Sequence, residues 1–130
     1  MEKRVEVRAM TEQECIDIST RLRENLIELA RVLPFLDMDD TVRIQSCRLM
    51  EEIANVIATY STTYGGGIQT PLKLGIVAHK IRKPVSELYS LIEPLPICTS
   101  NQHAYALVRA LDNIIEKDIL NENNEVTLND

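Results

Sequence analysis

Hydrophobic positions recur along this chain with the spacing of helices. Cys15, Ile18, Leu22, Leu26, Leu29 and Leu33 follow one another at intervals of 3, 4, 4, 3 and 4, which is a narrow apolar seam on one helical face. Thr11 and Glu14 stand at the two positions of a capping box before that seam, and Pro34 stops it. The pattern predicts a first helix from about Thr11 to Leu33. The seam is too short for a long coiled coil, so its expected role is a bundle face.

A second pattern begins after "PFLDMDD", where Asp39 or Asp40 can cap a helix and place a carboxylate at its positive end. Val42, Cys47, Leu49, Met50, Ile53, Ala54, Val56, Ile57, Ala58 and Tyr60 are its apolar positions. At about 100° per residue they sweep an arc of roughly 200°. One neighbour cannot cover so wide an arc, so the helix over 40–64 is expected to be the centre of the fold. Arg43 projects into the arc, either to snorkel or to meet a carboxylate from another helix. Gly65 suits a left-handed cap at the far end.

Thr70 followed by Pro71 predicts the start of a third helix. Pro84 is expected to break it, because Lys83, the residue before the proline, is pushed out of the helical region. A short fourth helix then runs from Pro84 to about Glu93, and Pro94 and Pro96 make "EPLPICTS" a loop. Thr99 or Ser100 caps a last helix, with Leu107, Val108, Leu111, Ile114, Ile115 and Ile119 on one face. Arg4 to Arg8 alternates charged and apolar residues, as a short strand or an extended arm does. The expectation is a single all-α domain over 1–130, a bundle of about five helical segments with 40–64 central and frayed ends at 1–4 and 121–130.

Composition supports the class. Of 130 residues 45% are hydrophobic and only 4% aromatic, with no Trp and four Gly, which favours helices over a β-sandwich. No apolar run approaches about 18 residues, so no membrane span is expected. "MEKRVEVRAM" lacks the apolar stretch of a secretory signal. Three cysteines, Cys15, Cys47 and Cys98, are odd in number and without a CxxC pair. They read as reduced, buried thiols of a cytoplasmic protein.

Charge adds one asymmetry. The net charge is −6, yet between Ile53 and Leu111 only Glu87 and Glu93 oppose Lys73, Lys80, Arg82, Lys83 and Arg109. That basic middle fits either an anionic partner or the chain's own acidic flanks.

Within it, "LGIVAHKIRKPVSELYSLIEPL" resembles the helix-turn-helix pattern. Val77 and Ala78 lie where the first helix packs on the second, Pro84 starts the second, and Leu88 and Leu91 face inward. Arg82 departs from the pattern where the turn usually carries glycine, and Lys83 departs where an apolar residue is usual. The second helix also offers no Arg, Lys, Asn or Gln to read purine edges, and Glu87 would repel phosphates. On this reading Lys73, Lys80, Arg82, Lys83, Ser86 and Tyr89 are the candidate contacts to an anion or nucleic acid.

No other chemistry is marked. The triple glycine 65–67 is not followed by the Lys-Ser or Lys-Thr of a phosphate loop. His79 and His103 lie on different helices, and Cys98 with His103 lacks a third metal ligand in sequence. No catalytic, cofactor or metal residue is assigned, and no enzyme is expected. The leading expectation is a small interaction or regulatory protein, acting as a homodimer or within a larger assembly, because its apolar faces exceed what a thin bundle covers. The alternative is a helix-turn-helix transcriptional regulator that binds double-stranded DNA through 72–93.

Overall fold

The computed structural model describes residues 5–7, 9–62, 67–120 and 126–128, and side chains within 9–62 and 67–120. Four helices pack on one another: α1 (Glu12–Val32), α2 (Asp40–Tyr60), α3 (Pro71–Ile92) and α4 (Thr99–Asn113). The last continues as a π-helix over Ile114–Leu120. Two three-residue strands, β1 (Val5–Val7) and β2 (Val126–Leu128), pair antiparallel with Glu6 opposite Thr127. The alternation at the start is thus a strand, and its partner lies within the tail expected to be frayed. The glycine cap at Gly65 and the remaining tail residues lie outside the described residues.

The first helix follows its sequence closely. Cys15, Ile18, Leu22, Leu26, Leu29 and Leu33 are all buried. The Glu14 amide donates to Thr11 Oγ1 at 3.1 Å, and the Thr11 amide donates back to Glu14 Oε1 at 3.1 Å, so the capping box is complete. Pro34 sits in a short 3₁₀ turn, Leu33–Phe35, that ends the run.

Two expectations are corrected. The third and fourth segments are one uninterrupted helix of 22 residues, with Pro84 inside it, so the helices number four rather than five. A helix-interior proline loses one backbone bond and typically costs about 3 kcal/mol. Here the apolar pattern runs through it in phase. Val77, Ala78 and Ile81 before it, and Val85, Leu88 and Ile92 after it, are all buried on one stripe together with the proline ring. Breaking the helix would turn half of that stripe to water, at up to about 1.5–3 kcal/mol for each large side chain.

The second correction concerns the centre. α3 buries nine residues, whereas α2 buries four, Ser46, Met50, Ile53 and Ile57. α3 lies against α2 on one side and α4 on the other, and α4 lies against α1. The central helix is therefore α3, and α2 is an outer one. Cys47, Ala54 and Ala58, three of the apolar residues expected in the core, are exposed.

Loops are tied by specific polar groups. Buried Asn101 accepts from the Asp37 amide at 2.9 Å and donates to the carbonyls of Asp37 and Pro96, joining the α1–α2 and α3–α4 connections. Among the described residues Arg43 meets no carboxylate. Its guanidinium donates to the Leu33, Leu36 and Met38 carbonyls of the α1–α2 connection. After α2 the chain returns to α1: the Ile68 amide donates to Ser19 Oγ at 3.0 Å, and Ser19 Oγ donates to the Ile16 carbonyl at 2.9 Å. Gly67 makes that approach with φ +72°. Cys98 takes the N-cap position of α4 without a side-chain bond, in place of the expected Thr99 or Ser100.

Candidate functional site

An apolar groove runs between α1 and α2. Its main part holds about 520 Å³ and is lined by Leu26, Ile27, Ala30, Leu33 and Pro34 on one side and by Arg43, Cys47, Met50, Glu51 and Ala54 on the other. It continues past Arg23, Ala58, Ser61 and Thr62 in a second part of about 370 Å³ that shares Leu26, Ile27 and Ala54. As α1 is followed from Pro34 back to Arg23, α2 advances from Arg43 to Ser61. The two helices are therefore antiparallel walls of one trough.

The local sequence explains the trough. α1 has a narrow seam, so Ile27 and Ala30, one step off it, are left uncovered. α2 turns its large side chains, Met50, Ile53 and Ile57, inward and presents Cys47, Ala54 and Ala58 toward α1. Small side chains leave space where a Leu or Met would fill it. Ile27, a lining residue, is 59% exposed, and Phe35 and Ile44, the chain neighbours of the lining residues Pro34 and Arg43, are 75% and 56% exposed. Three of the five exposed large hydrophobic residues among those described thus line the trough or adjoin a lining residue in the chain. Monomeric surfaces scatter such residues singly, and a cluster marks a contact surface.

Of the residues proposed from the basic middle, Arg82, Lys83 and Ser86 line one open concavity, and Lys73, Lys80 and Tyr89 are not in its lining. Lys80 holds its ammonium over the Tyr60 ring of α2, 5.9 Å from the centroid. On the opposite flank of α3, Arg82 pairs with Glu116 at 2.6 Å. Glu116 belongs to the acidic flank of the sequence, so one of the basic charges is met by the chain itself. Lys83 and Ser86 share that concavity with Glu87, Asp112 and Glu116, whose carboxylates oppose a polyanion. Lys73 is exposed in the first turn of α3. Tyr89 turns inward to Tyr105, with the hydroxyls 2.9 Å apart and the rings 5.6 Å between centroids. That hydrogen bond, with desolvation behind it, pushes the Tyr89 phenol up to about 12. The turn that a helix-turn-helix requires at 81–84 is absent, because α3 is continuous there.

No group of three or more metal-ligating residues occurs among the described residues. His103 bonds Glu28 of α1 at 3.0 Å, and Cys98 lies at the other end of the first turn of α4. The His103 bond holds the Glu28 carboxyl below its usual range; desolvation opposes it, and the neighbouring Arg31 charge adds to the lowering. None of the three thiols forms a disulfide. Cys15 is buried as expected, whereas Cys47 is exposed on the groove wall and Cys98 half-buried.

The fold and the trough define a small helical bundle with one uncovered apolar face. No described helix is long and apolar enough to cross a membrane. Compared with protein-family models, curated proteins and solved structures, the chain gives no match.

Proposed function

We propose that this protein is a non-enzymatic interaction module whose working surface is the α1–α2 groove. The carrying observation is an open apolar trough with the exposed Ile27 in its lining, flanked in the chain by exposed Phe35 and Ile44 beside the lining residues Pro34 and Arg43. Helix-in-groove docking uses such surfaces: an amphipathic helix lays apolar side chains at i, i+3 or i+4, and i+7 between two walls. The small residues Ala30, Cys47 and Ala54 permit close approach of its backbone. Thiols without a disulfide fit a reducing compartment, the expected cytoplasm.

The DNA-binding reading is supported by composition alone and not by the placement of its residues. Arg82 is engaged with Glu116, and Lys80 and Arg82 lie on opposite flanks of α3.

The test is a selection of displayed helical peptides on dilute, immobilised protein, run in parallel on the Ile27→Lys variant. Ile27 is exposed, so the variant should keep its stability within about 0.5 kcal/mol. Peptides with a helical apolar stripe should enrich on the wild type and not on the variant. A loss of about 2 kcal/mol or more in the variant, as for a core position, would mean that the groove is closed in solution and would overturn the reading. So would equal enrichment on both proteins.

A further inference from the structure

Apart from Arg43, the groove lining carries one charge of each sign, on opposite sides of its midpoint. Ile27 and Ala54 line both parts of the trough and mark its middle. Arg23 lies four residues along α1 from Ile27, toward the end with Ala58 and Ser61. Glu51 lies three residues along α2 from Ala54, toward the other end. At about 1.5 Å per residue these are offsets of roughly 6 and 4.5 Å in opposite directions. Neither residue has an ion-pair partner among the described residues. The other cation on the wall, Arg43, is spent on the carbonyls of the connection.

We infer that the occupant of this groove is a second copy of the chain, seated face to face about a two-fold axis through the level of Ile27 and Ala54. A two-fold interface is self-complementary, so a group on one side of the axis must meet its complement from the other side. The axis lies in the plane of the face. Set oblique to the helices, it carries Arg23 of one copy over Glu51 of the other, because the two lie on opposite walls and on opposite sides of the midpoint. Symmetry makes that pair twice. Ile27 then meets its own counterpart at the centre, and Ala54 lets the backbones come close. A general acceptor of amphipathic helices has no need of opposite charges balanced about its own midpoint, whereas a two-fold contact does.

The inference rests on the groove being a docking surface, and its test separates the two claims. Full-length protein is examined by sedimentation equilibrium between about 1 and 300 μM, a range that captures dissociation constants typical of weak and moderate complexes. Wild type should approach twice the chain mass. Arg23→Glu and Glu51→Arg should each raise the dissociation constant roughly tenfold or more, because two attractive pairs become repulsive. Arg23→Glu combined with Glu51→Arg should restore dimerisation, a recovery that mere loss of fold cannot produce. Circular dichroism of each variant confirms that the helices are intact.

A dimer abolished by Ile27→Lys yet indifferent to both charge reversals would overturn the two-fold arrangement. A wild-type monomer throughout the range, with helical peptides still selected on the groove, would overturn self-occupancy alone. The groove would then serve a different helix. A monomer on which no peptide enriches would overturn both.

Discussion

Replacing Gly67 by alanine tests how the chain after α2 is locked to α1. Two effects add. At φ +72° an L-residue is strained, at about 1–2 kcal/mol. A Cβ built there would also lie 2.7 Å from Ser19 Oγ, closer than real contacts allow. Ser19 is buried and its hydroxyl holds the Ile68 amide, so displacing it disturbs a buried bond worth about 0.5–1.5 kcal/mol. Gly67→Ala should therefore cost about 1.5–3.5 kcal/mol in total. Ser19→Ala alone leaves the buried Ile68 amide without its acceptor and should cost about 1–3 kcal/mol. In the Ser19→Ala background the obstructing oxygen is gone, and Gly67→Ala should cost only its backbone part. The two substitutions should then couple by about 0.5–1.5 kcal/mol, read as a double-mutant cycle from urea melts followed by circular dichroism. A Gly67→Ala loss under about 0.5 kcal/mol, or strict additivity, would refute the lock.

Two further outcomes are expected. Glu28 has a lowered native pKa, so its stabilising contribution is present above the free-glutamate value, about 4.3, and is lost as pH falls through the native value. The difference in Tm between wild type and Glu28→Gln should be open near pH 6 and close in acid; a constant difference down to about pH 2.5 would contradict it. For duplex DNA, fluorescence polarisation at about 50 mM salt should show no binding, since electrostatic affinity is greatest at low salt. Binding with a salt slope that Lys80→Ala, Arg82→Ala and Lys83→Ala together flatten by roughly two or more would revive the DNA reading.

Sequence periodicity located α1 and its buried face correctly because six large residues at one phase leave only one way to turn that helix. It also placed Thr70 at the cap of α3, where its hydroxyl accepts from the Lys73 amide at 3.2 Å. At Pro84 the local rule and the pattern around it disagree, and the pattern prevails. The apolar phase from Leu74 to Ile92 continues across the proline, and that continuity was the available signal. The misplacement of the centre has a different cause. An apolar arc was counted on α2 without regard to size, yet Ala54 and Ala58 cost little to leave in water, whereas Met50, Ile53 and Ile57 do not. The surplus of apolar surface was legible, but its location was not. Ile27 and Ala30 become groove walls only because α2 leans on α3 and leaves α1 unfilled, a long-range outcome that no local spacing records.

The three carbonyl bonds of Arg43 bear on the speed of association. They brace the α1–α2 connection from within, so the distance between the walls is set by the chain before anything arrives. A trough propped open in this way needs no opening step, and a rigid incoming helix can dock with little backbone movement. Encounter and orientation then limit the on-rate, at about 10⁵–10⁷ M⁻¹s⁻¹, and differences among occupants show mainly in how long they stay.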